Sequence, residues 1–236
     1  MLRIKHHIVP VAAAVAALGF FGSSFRSDAA VVPLGTSGWS ASWDNSLDPF
    51  LSVVVDGQNA NSVFIQKIVQ FTGPPPGGLS PIAVTFTQTA PGAVPNIVIE
   101  DEVVTNQTGV PWTDFHMDIT DSGDAAFNPA LTAASGGPPP IGFSIAPFTT
   151  AAFGPSASGP NTTLDIAGGV IAPGATWFPG AGPNGDGSLF ITTNPHATQP
   201  FTVFTLKERP TVPEPASLSF VALGALTLLR RGRGAR

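Results

Sequence analysis

Between residues 31 and 210 the chain alternates apolar and polar positions in short runs broken by Gly and Pro. A period of two marks a strand with one face toward a core and the other toward water. Phe50 to Asp56 is rich in Val. Ser62 to Thr72 places Val63, Ile65, Val69 and Phe71 on one side and Gln66 and Gln70 on the other. Ile82, Val84 and Phe86 alternate with Ala83, Thr85 and Thr87. Ile97 to Thr105 puts Ile97, Ile99 and Val103 on one side, with Glu100 and Glu102 opposite. In Thr113 to Thr120, Phe115, Met117 and Ile119 face in while Asp114, His116 and Asp118 face out. Gly142 to Ala146, Leu164 to Val170, Ser188 to Thr193 and Phe201 to Lys207 complete a set of about nine predicted strands. No stretch of this body has the spacing of a long amphipathic helix. The pattern predicts an all-β body, a single antiparallel β-sandwich with Gly/Pro-rich loops, with a β-barrel as the alternative. Residues 121–163 and 172–187, rich in Ala, Gly, Pro and Ser, are expected to be looser than the first half.

Composition sharpens this picture. The 236 residues include 26 Gly and 25 Pro, which disfavours a helical bundle. There is no Cys, which excludes a disulfide framework, a thiolate metal site and a thiol nucleophile. Charge is partitioned along the chain. Residues 31–212 hold only Lys67, Lys207 and Arg209 against 13 acids, a net charge of −10. So acidic a body repels phosphate backbones and argues against nucleic acid as a partner. The remaining basic residues gather at the two ends beside apolar runs.

Residues 1–30 have the form of a signal peptide. Arg3 and Lys5 precede an apolar run from Val9 to Phe21, and Ser27 and Ala29 fit a cleavage site after Ala29 or Ala30. The export machinery and signal peptidase are the implied partners. Residues 211–236 carry Pro213-Glu214-Pro215, an uncharged apolar stretch over residues 216–229, and a cluster containing Arg230, Arg231 and Arg233. As a helix rising 1.5 Å per residue, the stretch would be about 21 Å long, short of a hydrocarbon core of about 30 Å. It is expected to be a short transmembrane helix and a marginal anchor, with its arginines held inside.

This ordered tail resembles the PEP-CTERM sorting signal of bacterial exported proteins. The resemblance covers about 25 residues and implies recognition by an exosortase, a transient stay in the inner membrane, and release to the cell surface or extracellular matrix. Pro213, Glu214, Pro215, Arg230, Arg231 and Arg233 are the implied sorting and processing residues. One internal stretch, Glu102 to His116, is similar to a phrase recurrent in the bodies of that family. It reads as a strand, an Asn106-Gln107-Thr108-Gly109 turn, Trp112 and a second strand, and is expected to form a structural hairpin. Gly109 would supply the turn and Trp112 would plug the core edge.

Candidate chemistry in the body is sparse. Asp114, His116 and Asp118 share one strand face and have ligand types that can hold a metal; a solvated acidic face is the competing reading. Asp118, Asp121 and Asp124, and the Asn184 to Ser188 turn, suggest calcium, but Pro195 stands where a calcium loop needs its closing Glu. A plain hairpin turn is the competing reading for residues 184–187. No nucleophile elbow occurs, since Gly142-Phe143-Ser144-Ile145-Ala146 lacks the second Gly. The adjacent acids Glu100, Asp101 and Glu102 fall on a strand where Glu100 and Glu102 are expected to be solvated. Trp39, Trp43, Trp112 and Trp177 are candidates for stacking on sugars or for the core. The expected function is non-enzymatic: an exported surface or matrix protein with a structural or adhesive role, associated with extracellular polysaccharide. A carbohydrate-binding module and a secreted hydrolase are the alternatives.

Overall fold

The computed structural model describes residues 29–73, 81–120, 123–181 and 187–212. The signal segment, the tail with its sorting residues, Asp121 and residues 182–186 lie outside the described residues. Among the described residues no helix is long and apolar enough to cross a membrane.

Among the described residues thirteen strands form two sheets. They are β1 (Ala30–Pro33), β2 (Trp39–Trp43), β3 (Leu51–Gln58), β4 (Ser62–Thr72), β5 (Ile82–Gln88), β6 (Asn96–Gln107), β7 (Trp112–Thr120), β8 (Ala125–Phe127), β9 (Thr150–Ser156), β10 (Gly159–Ile171), β11 (Thr176–Trp177), β12 (Leu189–Thr193) and β13 (Val203–Thr211). A 3₁₀ turn (Asn45–Leu47) and one short helix, α1 (Pro129–Ala134), complete the set. The larger sheet runs β1-β2-β5-β13-β7-β10-β9 and the smaller β3-β4-β6-β12-β8, with β11 on β6. Neither closes into a barrel.

The alternation seen in the sequence is realised as burial. β5 alternates buried and half-buried side chains at every step, and β7 buries Phe115, Met117 and Ile119 while Asp114, His116 and Asp118 stay partly exposed. The inward faces of both sheets meet in one apolar core that includes Val63, Ile65, Phe86, Phe115, Leu164, Ile191, Phe204 and Leu206. Trp112 and Phe115 pack edge-on against Phe71 at ring distances of 5.3 and 5.9 Å, and Trp177 lies edge-on to Phe115 and Phe148 at 5.1 Å each. Such geometry is favoured by the aromatic quadrupole.

Four expectations are corrected. The sheets are not wholly antiparallel: β4 and β6 run parallel. The chain between them visits β5 in the opposite sheet and so returns in the same direction. Gly142 to Ala146 is not a strand but a turn region, with Gly142 at φ +81° and Ile141, Phe143 and Ile145 buried. An apolar run without alternation can be a buried loop, and here its Ile and Phe side chains join the core. Asn106 to Trp112 does not join a hairpin, because β6 and β7 belong to different sheets. It is a corner between layers. Lastly, the Gly/Ala-rich second half includes the paired strands β9 and β10, long enough to extend the larger sheet to its edge.

Candidate functional site

The strongest concentration of chemistry lies inside the molecule. Lys67 on β4, Glu102 on β6 and Glu208 on β13 converge in the core at 0, 0 and 2 % exposure. Lys67 Nζ donates a hydrogen bond to Glu208 Oε1 across the gap between sheets. It also forms an ion pair with Oε1 of Glu102, its register partner on the neighbouring parallel strand.

Each residue reaches the interior for a local reason. Lys67 has the same parity as Val63, Ile65, Val69 and Phe71, so strand alternation carries it inward with them. Glu208 alternates in the same way with Phe204 and Leu206. Glu102 depends on an irregularity. In the β4–β6 ladder Ile65 faces Ile99 but Gln66 faces Asp101, so Glu100 is skipped as a bulge. The extra residue turns the remainder of the strand over: Ile97 and Ile99 point inward before it, and Glu102, Val104 and Asn106 point inward after it. The expectation that Glu102 and Val103 lie on the solvated and apolar faces respectively is therefore reversed. The segment after β11 covers the bulge. Glu102 N–H donates to Pro179 O at 2.9 Å, and Gly180 (φ +88°) sits where any side chain would collide with the Glu100 carbonyl.

The surroundings of this cluster are apolar. Glu208 is in register with Ile82 on one side and Met117 on the other. Oε1 of Glu102 meets the Lys67 ammonium, while Oε2 of Glu102 and Oε2 of Glu208 find no hydrogen-bond donor. Burial drives the Glu102 carboxyl pKa up, the negative charge of Glu208 adds to this, and Lys67 opposes it; the result is a rise from 4.5 to about 8. For Lys67, burial lowers the ammonium's pKa but the two carboxylates outweigh it, and the net direction is upward. At neutral pH Glu102 is thus held mainly as the carboxylic acid, beside the lysine ammonium. Paired charge with a shared proton is how such a group tolerates a low-dielectric interior.

A second row sits on the outer face of the larger sheet. His116 Nδ1 lies 2.6 Å from Asp165 Oδ1, and its Nε2 lies 2.9 Å from Thr211 Oγ1. The order hydroxyl, imidazole, carboxylate is that of a nucleophile, base and orienting acid. Here it spans three strands of an open sheet face, with the Asp165 side chain 60 % exposed. Both imidazole nitrogens are engaged, by Asp165 and Thr211 and not by Asp114 or Asp118. Among the described residues no group of three His, Asp or Glu side chains is placed to hold a metal.

A surface groove of about 440 Å³ runs beside β8, lined by Asp124, Asn128, Asn161, Thr192 and Asn194. His196 Nε2 approaches Asp124 Oδ2 at 3.2 Å behind it. The four tryptophans expected either to stack on sugars or to fill the core are 1, 7, 0 and 2 % exposed and belong to the core. The Asn106 corner is also structural. Asn106 Nδ2 donates to the carbonyls of Val110, Ile171 and Ala172, its Oδ1 accepts from the Thr108 N–H and hydroxyl, and Trp112 Nε1 donates to Thr108 Oγ1. Gly109 supplies the positive φ of +79° that closes this turn.

Reading the sequence placed Asp114, His116 and Asp118 on the correct face but missed Lys67, Glu102 and Glu208 as a group. A parity signal existed for Lys67 and Glu208, each in step with apolar neighbours. None existed for Glu102, whose orientation is set by the bulge. Comparisons with protein-family models, with curated proteins and with solved structures found no match.

Proposed function

We propose that the protein is an exported, non-enzymatic component of the bacterial surface or exopolysaccharide matrix, sorted through its C-terminal tail and serving a structural or adhesive role. The observation that carries this reading is the ordered tail itself: Pro213-Glu214-Pro215, an apolar stretch over 216–229, and Arg230, Arg231 and Arg233. It stands behind an acidic body and opposite an N-terminal segment with the form of a signal peptide. The architecture is compatible with such processing. The last strand, β13, lies between β5 and β7, and Val212 still packs on the core. A cut near Pro213 would leave every described strand in place. The test follows a tagged chain in a cell with and without an exosortase. The expected result is an extracellular or surface form that lacks the arginine-rich end only when the enzyme is present. Full-length protein in the cytosol in both cells overturns the reading.

A carbohydrate-binding role is the second reading, favoured by the groove beside β8. Amide, hydroxyl and carboxylate groups of Asp124, Asn128, Asn161, Thr192 and Asn194 converge there, and such groups match the hydroxyls of a sugar. Titration of the full chain with exopolysaccharide fragments, with Asn161→Ala as the comparison, checks it. Equal binding by both proteins, or by neither, removes the groove from consideration.

A further inference from the structure

We propose that Lys67 and Glu208 join in an intramolecular isopeptide bond, a covalent staple between the two sheets, with Glu102 handling the protons that its formation requires. This goes beyond the export reading and does not depend on where the protein is sent.

Three observations lead to it. An amine and two carboxyl groups sit together in an otherwise apolar interior, all at 2 % exposure or less. The hydrogen bond from Lys67 Nζ falls on Glu208 Oε1, so the amine stands against the carboxyl group that would accept it. One oxygen of each carboxyl group meets the Lys67 ammonium, while Oε2 of Glu102 and Oε2 of Glu208 have no hydrogen-bond donor, so the cluster is poorly solvated as a set of charges. The two carboxyl groups favour Lys67 as the ammonium, so the free amine is reached only when its proton passes to the carboxylate it touches, and with both groups buried no bulk water competes for the acyl carbon.

The step balances within the three side chains. The Lys67 ammonium passes one proton to the Glu208 carboxylate, giving a neutral amine and a neutral acid. The amine lone pair attacks Cδ of Glu208, and a C–N bond forms. Glu102, held as the acid at neutral pH by burial and by the charge of Glu208, donates its proton to the developing oxyanion. It then regains a proton from the nitrogen, and one of the two hydroxyls on the carbon takes the proton of the other as its C–O bond breaks, so that water departs and the carbonyl re-forms. The sum is ammonium plus carboxylate giving amide plus one water. Nothing is oxidised or reduced, and no co-reactant is needed. The product has lost two buried charges and keeps Glu102 as an acid able to hydrogen-bond the new amide. Glu208 is assigned as the acyl partner because Lys67 Nζ donates its hydrogen bond to Glu208 Oε1 across the sheets, while Glu102 is the carboxyl held as the acid.

The experiment is mass spectrometry of the folded full chain after denaturation, with fragment mapping to account for its two ends. The expected wild-type body is lighter than its sequence by the mass of one water, and fragments containing Lys67 and Glu208 are found joined. Lys67→Arg is expected at its full sequence mass. Glu208→Gln is expected to lose one ammonia in place of water, which an ion pair cannot imitate. Glu102→Gln, which keeps both bond partners, is expected to remain unjoined. Folded wild-type protein at full mass with separate fragments overturns the proposal without reference to any variant. A bond found between Lys67 and Glu102 overturns the assignment of Glu208. Full joining in Glu102→Gln overturns the role given to Glu102.

Discussion

Two clusters on the same strand make a controlled contrast. β13 sends Glu208 into the core and, with the opposite parity, Thr211 to the outer face. Inside, a base faces two carboxyl groups in an apolar setting. Outside, His116 faces Asp165 and Thr211 in contact with water. The side-chain chemistry is similar, yet the consequences diverge because the medium differs. At the surface, water solvates each charge and an ion pair contributes about 0–1 kcal/mol. In the interior, each charge depends on its partner, and removing one partner leaves the others exposed to their full desolvation cost.

The contrast can be broken or sharpened in four ways. Lys67→Met has the largest expected effect, a loss of about 3–5 kcal/mol, since it leaves two buried carboxyls without their cation. Urea unfolding measures it, and a loss below about 1 kcal/mol would mean that the cluster does not behave as a buried ion group. The triple change Lys67→Met, Glu102→Leu, Glu208→Leu should recover most of that stability, because apolar replacements need no solvation.

The second test is pH. The Glu102 carboxyl is raised from 4.5 to about 8 in the folded chain, so between those values the folded state holds a proton that the unfolded state has released. Stability contributed by Glu102 is therefore full below pH 4.5 and is lost as pH rises to 8. The slope is about 1.4 kcal/mol per unit, or roughly 3 kcal/mol between pH 5.5 and 8. The groups facing it are Lys67 from β4 and Glu208 from β13. Unfolding midpoints measured across this window on protein whose Lys67 and Glu208 are not joined should slope for wild type and flatten for Glu102→Gln.

The third test concerns a buried polar group that is fully satisfied. Asn106→Ala removes the amide that ties the β6–β7 corner to the carbonyls of Val110, Ile171 and Ala172 and that accepts from Thr108. A loss of about 2 kcal/mol is expected in thermal or chemical unfolding, with no new pH dependence. The smallest effect is expected on the outer face. His116→Ala should change stability by less than about 1 kcal/mol, and added salt should shrink the difference further. A change as large as that of Lys67→Met would show that the outer row is not the solvated counterpart it resembles here.

Much of the architecture was legible along the chain. Ser62 to Thr72 is a strand at the expected bounds, and Phe115, Met117 and Ile119 are buried as their alternation implies. Short strands escaped notice where patterning is brief: β8 has three residues and β11 two, and β9 consists of Thr, Ala, Phe, Gly, Pro and Ser. Such segments become strands because a neighbour offers a ladder, not because their own side chains demand it. The candidate site was hardly visible. Lys67 and Glu208 carry the parity of the core, but nothing near either in sequence names its partner, which lies 141 residues away.

The division has a physical basis. Alternation is a property of adjacent residues, so the sequence by itself determined that the body is built of strands, which side of most strands is apolar, and that an acidic body lies between two basic, apolar ends. Facing and pairing are properties of distant residues. Only the tertiary structure decided that β4 and β6 run parallel, that skipping Glu100 turns Glu102 inward, and that β13 brings Glu208 across the gap to Lys67. A one-residue bulge reverses every later side chain of its strand, and the hydrogen bonds that fix it come from chain segments far away.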